Sequence, residues 1–97
     1  MEVVNKEIVE FLRQYDMFDE EIEQCFMLCP GLDIVDKNKA EECLKILEEH
    51  GYPKDDLGLL LVVNPAILLY EPEDLLKKLE SLDGDIEDIL KDDPFAI

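Results

Sequence analysis

Leu57-Gly58-Leu59-Leu60-Leu61-Val62-Val63-Asn64-Pro65-Ala66-Ile67-Leu68-Leu69 is the stretch from which the fold can be read. Leu57, Leu60, Leu61 and then Asn64 fall at i, i+3, i+4 and i+7, the spacing of one helix face. The run from Leu59 to Val63 suits a strand by composition. It lies within helical spacing, however, and so reads as a central helix buried on most sides. Pro65 ends that helix, because it has no N–H to continue the ladder and pushes Asn64 toward extended geometry. A tight turn then follows, predicted to carry the apolar residues at proline plus two and plus four, Ile67 and Leu69, into the core.

The same pattern recurs on either side. Ile22 to Pro30 and Ile86 to Pro94 both align with Leu57 to Pro65, with apolar residues or Cys at proline minus eight, minus five and minus four. After Pro30, Leu32 and Ile34 repeat the apolar positions of Ile67 and Leu69. The prolines stand 35 and 29 residues apart, in the range of helical repeat units. Between them the helical spacing continues through Ala40, Cys43, Leu44 and Leu47, and through Leu75, Leu76, Leu79 and Leu82. Before them it runs through Ile8, Phe11, Leu12 and Tyr15.

The boundaries agree. Asp19-Glu20-Glu21, Asp55-Asp56, Glu73-Asp74 and Asp85 open periodic segments, where carboxylates meet free backbone N–H groups and the positive end of the helix dipole. Pro72 suits a first helical turn. Gly51 and Gly84 suit left-handed stops. The expectation is an all-α chain: a short helical-repeat array of helix, proline turn and helix. It forms a single domain over 1–97, with a partial unit whose helix spans 3–15, repeats at 19–50 and 54–82, and a half repeat at 85–97.

This unit resembles the repeat of the mitochondrial transcription termination factor (mTERF) family. The resemblance is carried by Cys43 to Leu69: a helix ending Leu44-Lys45-Ile46-Leu47-Glu48-Glu49-His50-Gly51-Tyr52, a start at Asp55-Asp56-Leu57, and the turn Asn64-Pro65-Ala66-Ile67-Leu68. Weaker versions at Pro30 and Pro94 extend it from about Phe18 onward. The resemblance implies a right-handed stack of triangular repeats with short 3-10 turns, and a concave basic groove for nucleic acid. Here the chain departs from the family. Its nine basic residues are scattered among 26 acidic ones, and Arg13 is the only arginine.

Charge bounds the function in the same direction. A net charge of −17 argues against a phosphate grip built on Lys and Arg, and against anionic membranes. With 47% hydrophobic residues in 97, there is material for one small core rather than an acidic disordered tail. The longest apolar run is far below the roughly 20 residues of a membrane span. Three cysteines are too few for a secreted disulfide scaffold, and the N-terminus has no leader pattern. A soluble, reducing, cytoplasmic-type setting is expected.

No catalytic set emerges. His50 is the only histidine and Ser81 the only serine, with no threonine. His50 is expected to close a helix C-terminus. Cys25, Cys29, Cys43 and His50 are the one candidate zinc set. Yet they lack a Cys-x-x-Cys knuckle, and Cys25 and Cys43 occupy positions that are leucine or isoleucine elsewhere. Asp83-x-Asp85-x-Glu87 misses the glycine and final glutamate of a calcium loop. No cofactor is expected and no enzyme activity.

What remains points to partners. Phe95 and Ile97, in an unfinished third unit, are candidate docking residues or a cap, and a homodimer would complete the same end. Asp83, Asp85, Asp88, Asp92 and Asp93 form an acidic patch suited to a basic protein, or to mimicry of a nucleic-acid backbone. The leading expectation is a non-enzymatic protein-interaction module. The alternative is a transcription-related nucleic-acid binder with a local patch at Lys37, Lys39 and Lys45.

Overall fold

Residues 5–97 are described in the computed structural model of the protein. Six α-helices follow in order: α1 (Lys6–Arg13), α2 (Asp19–Leu28), α3 (Lys37–Glu49), α4 (Leu57–Val63), α5 (Pro72–Ser81) and α6 (Ile86–Asp92). Two proline-led 3-10 turns, Pro30–Ile34 and Pro65–Leu69, join α2 to α3 and α4 to α5. A third, Lys54–Asp56, leads into α4. No strand occurs among the described residues, so the chain is all-α. The helix expected over 3–15 is shorter, ending where Asp16 takes a left-handed φ of 61°. Positions 3 and 4 lie outside the described residues.

Five of the six helix starts have a local cause. Asn5 Oδ1 accepts from Ile8 N at 3.2 Å, Asp36 Oδ1 from Asn38 N at 2.8 Å, and Asp85 Oδ1 from Asp88 N at 3.2 Å. Glu21 reaches back to accept from Phe18 N at 2.8 Å. Pro72 occupies the first turn of α5. Gly51 (φ 99°) and Gly84 (φ 126°) take the left-handed backbone that stops α3 and follows α5. Asp55 and Asp56 belong to the 3-10 turn ahead of α4 instead of to its first turn.

The three prolines share one local geometry. Cys29, Asn64 and Asp93, each just before a proline, have φ/ψ of −139°/77°, −134°/72° and −140°/94°. Each donates its N–H to the carbonyl four residues back, at 2.9, 2.8 and 2.8 Å. Each then accepts from the residue three further on: Leu32, Ile67 and Ala96. The α-ladder closes, the chain leaves helical geometry, and a tighter turn begins.

The burial of these turns corrects one expectation. Leu32 and Ile67, at proline plus two, are fully buried, but Ile34 and Leu69, at plus four, face out with 89% and 43% of their surface exposed. A 3-10 turn has three residues per revolution, so plus two shares its side with plus five. Val35 and Tyr70 accordingly pack against the core, and plus four points away.

One core runs through the chain. Ile8, Leu12, Ile22, Leu32, Leu44, Leu47, Leu57, Leu61, Ile67, Leu68, Leu75 and Leu79 are its largest fully buried side chains. Burying each is worth about 1.5–3 kcal/mol. The central helix α4 sits against α2 and the second proline turn. Gly58 lets it come close to the turn after α1: a Cβ there would lie 2.4 Å from the Tyr15 carbonyl oxygen. Leu59 and Val63 form the one outward side of this helix.

Candidate functional site

The acidic C-terminal segment is built by α6 and the turn at Pro94. Asp85 caps the helix, and Ile86 and Leu90 anchor it in the core. Asp83, Asp85, Asp88, Asp92 and Asp93 are all exposed. The one base in this stretch, Lys91, is already committed. Its Nζ lies 2.9 Å from Asp56 Oδ2 and 2.7 Å from Glu87 Oε2, which raises its pKa and ties α6 to the entrance of α4. The aspartates are therefore a surplus with no neutralising partner nearby in sequence.

The two docking candidates separate. Phe95 is 64% exposed, its N–H donating to Asp93 Oδ1 at 3.1 Å. Ile97 is buried and packs in the chain's own core, the placement expected of a cap and not of an exposed contact. The cause is Asn64, whose Nδ2 donates to the Pro94 carbonyl at 2.9 Å and lies 3.5 Å from that of Ile97. Asn64 is the one buried polar residue among those described. Its signal in the sequence was an amide at the i+7 position of an otherwise apolar face. Asn5 does the same for the first proline turn, donating to the carbonyls of Leu32 (3.0 Å) and Val35 (3.1 Å).

The zinc candidates are not brought together. Among the described residues, no group of three or more His, Cys, Asp or Glu side chains is arranged to hold a metal. Cys25 and Cys43 are fully buried, and their thiols donate to the carbonyls of Leu61 and Tyr70, each at 3.4 Å. Burial, with nearby glutamates adding to it, pushes both thiols up to about 11, so they stay protonated. Cys29 is buried too, and its thiol is pushed up by the same cause. His50 caps α3, its Nδ1 2.8 Å from the Ile46 carbonyl oxygen.

The lysine patch is likewise dispersed. Lys39 Nζ pairs with Glu71 Oε1 at 2.9 Å, across from α3 to the start of α5. Lys37 opens onto a different groove, shared with Lys6, Glu7 and Glu10. Lys45 is exposed further along α3. No helix is long and apolar enough to cross a membrane among the described residues.

The signal for Gly58 was a glycine inside a helical pattern, which often marks a close backbone approach. The outward Ile34 and Leu69 were legible only as apolar residues, and their direction needed the 3-10 geometry. No family model, curated protein or solved structure matches this chain.

Proposed function

We propose that this chain is a non-enzymatic interaction module, a short right-handed array of mTERF-like units whose acidic C-terminal end receives a basic protein partner. The observation that carries the reading is an exposed aromatic, Phe95, that follows directly on a segment with five exposed aspartates, whose only local base is paired off. Aromatic residues are enriched at specific contacts. The charge steers the encounter and the ring supplies the apolar contact. Repetition of the proline-turn geometry at Pro30, Pro65 and Pro94 supports the array. Pairing of Lys39 with Glu71 weighs against a nucleic-acid role for the α3 lysines.

Capture from extracts of the source cells, comparing the native chain with Phe95→Ser, tests this. The native chain is expected to retain a small set of basic proteins that the variant releases. A parallel low-salt titration with duplex and single-stranded nucleic acid is expected to show no binding. Identical capture by both chains overturns the reading. So does nucleic-acid affinity that falls on substituting Lys37, Lys39 and Lys45.

A further inference from the structure

The outward turn of Ile34 and Leu69 has no use in the core. Both sit at proline plus four, and both are large and apolar. They are brought into one cleft because the two proline turns pack against each other. Gly31 lines the same cleft: a Cβ there would lie in ordinary contact, 3.4 Å from both terminal carbons of the Leu69 side chain. The cleft holds about 410 Å³, with Val35 and Leu68 in its lining and Asp36, Lys39 and Glu71 at its edge. That volume falls within the roughly 300–1,000 Å³ of clefts that seat a small ligand.

An acidic cleft of about 380 Å³ adjoins it. The two share Lys39 and Glu71, and the second is otherwise lined by Glu42, Pro72, Glu73 and Asp74. The single base across both is the Lys39 already paired to Glu71 at 2.9 Å. An apolar floor thus passes directly into a site with an excess of carboxylates. A second copy of this chain is a poor occupant. It would bring another −17 of charge and, in a two-fold pairing of this face, the same carboxylates against themselves.

We infer that this double cleft receives a short segment of a partner protein in which one or two apolar side chains are followed by Lys or Arg. The apolar residues seat against Ile34 and Leu69, and the basic ones reach Glu42, Glu73 and Asp74. This rests on the reading of the chain as an interaction module, but it places a second contact in clefts whose lining does not include Phe95.

A library of random 12-residue peptides displayed on phage, selected against the immobilised full chain, tests it. The expected result is enrichment of sequences joining Leu, Ile or Phe to adjacent Lys or Arg. Affinity of the enriched peptides should fall about tenfold in Leu69→Ser or Ile34→Ser and in Glu73→Lys, and stay unchanged in Phe95→Ser. Ile34 is exposed enough for its variant to keep the native helicity, which circular dichroism verifies. Peptides of acidic or neutral consensus overturn the inference, as does absence of enrichment. Loss of binding in Phe95→Ser alone overturns it while leaving the C-terminal reading standing. Association of the free chain through Ile34 and Leu69, seen by light scattering, overturns it in favour of a second copy.

Discussion

Helices α4 and α6 have seven residues each, run into Pro65 and Pro94, and end in the same backbone turn. Beyond that they differ in almost every respect. Helix α4, Leu-Gly-Leu-Leu-Leu-Val-Val, has no charged residue and buries Leu57, Gly58, Leu60 and Leu61. Helix α6, Ile-Glu-Asp-Ile-Leu-Lys-Asp, buries Ile86 and Leu90, half-buries Ile89 and carries charge at its other four positions. A neighbouring backbone touches α4 at Gly58, and the Cys25 thiol donates to its Leu61 carbonyl. What holds α6 is one apolar edge, the Lys91 ion pairs and the Asn64 amide. The lesson is that the proline motif sets the turn, while the residues in front of it decide whether the helix is buried on most sides or on one edge alone.

The sharpest way to break this comparison uses Leu61 and Leu90, which both stand four residues before their proline and are both fully buried. Leu61→Ala is expected to cost about 4 kcal/mol in urea unfolding, and Leu90→Ala about 2 kcal/mol, because the peripheral site can collapse around its cavity. Equal costs would remove the distinction. Gly58→Ala probes the same helix by overfilling. It is expected to cost about 2–3 kcal/mol, since the obstacle is a backbone carbonyl and not a flexible side chain.

Asn64 links the two regions, so Asn64→Leu should cost about 1–2 kcal/mol. The loss should come with faster amide exchange at Ala96 and Ile97, while the Leu32 amide is unaffected. The thiols sharpen the picture through pH. Cys25 and Cys43 are held protonated in the fold, up to about 11 against an ordinary 9.0. The folded chain therefore keeps protons that the unfolded chain releases. Stability is full below about pH 9 and falls as pH rises toward 11. Thermal melts across that window should show the decline, with a shallower slope in Cys25→Ala. The smallest effect is expected at Lys91→Met, a slight drop in melting temperature that disappears in high salt because the pairs are exposed.

Much of this architecture was legible in the residues. Helical spacing, the glycine stops and the proline breaks locate the helices, because each acts through local backbone chemistry. Direction within a turn was not legible. Ile34 and Leu69 read as core from their apolarity, and only the three-residue period of the 3-10 turn turns them outward. The fate of Ile97 was hidden for another reason. It depends on an amide 33 residues earlier in the chain, and spacing rules do not reach that far. Cys25 and Cys43 show the opposite case: their alignment with leucine and isoleucine positions already argued for core filling.

The claim that α4 is buried on most sides and α6 on one edge alone is tested most directly by native-state hydrogen exchange at two equivalent amides. Asn64 N–H and Asp93 N–H both donate over 2.8 Å to the carbonyl four residues back, in the same backbone conformation. With hydrogen-bond geometry matched, their exchange rates report how far the surrounding structure must open. The account predicts that Asn64 exchanges only through global unfolding, while Asp93 exchanges at least about tenfold faster through opening of α6 alone. Equal protection at the two amides, or slower exchange at Asp93, would contradict it.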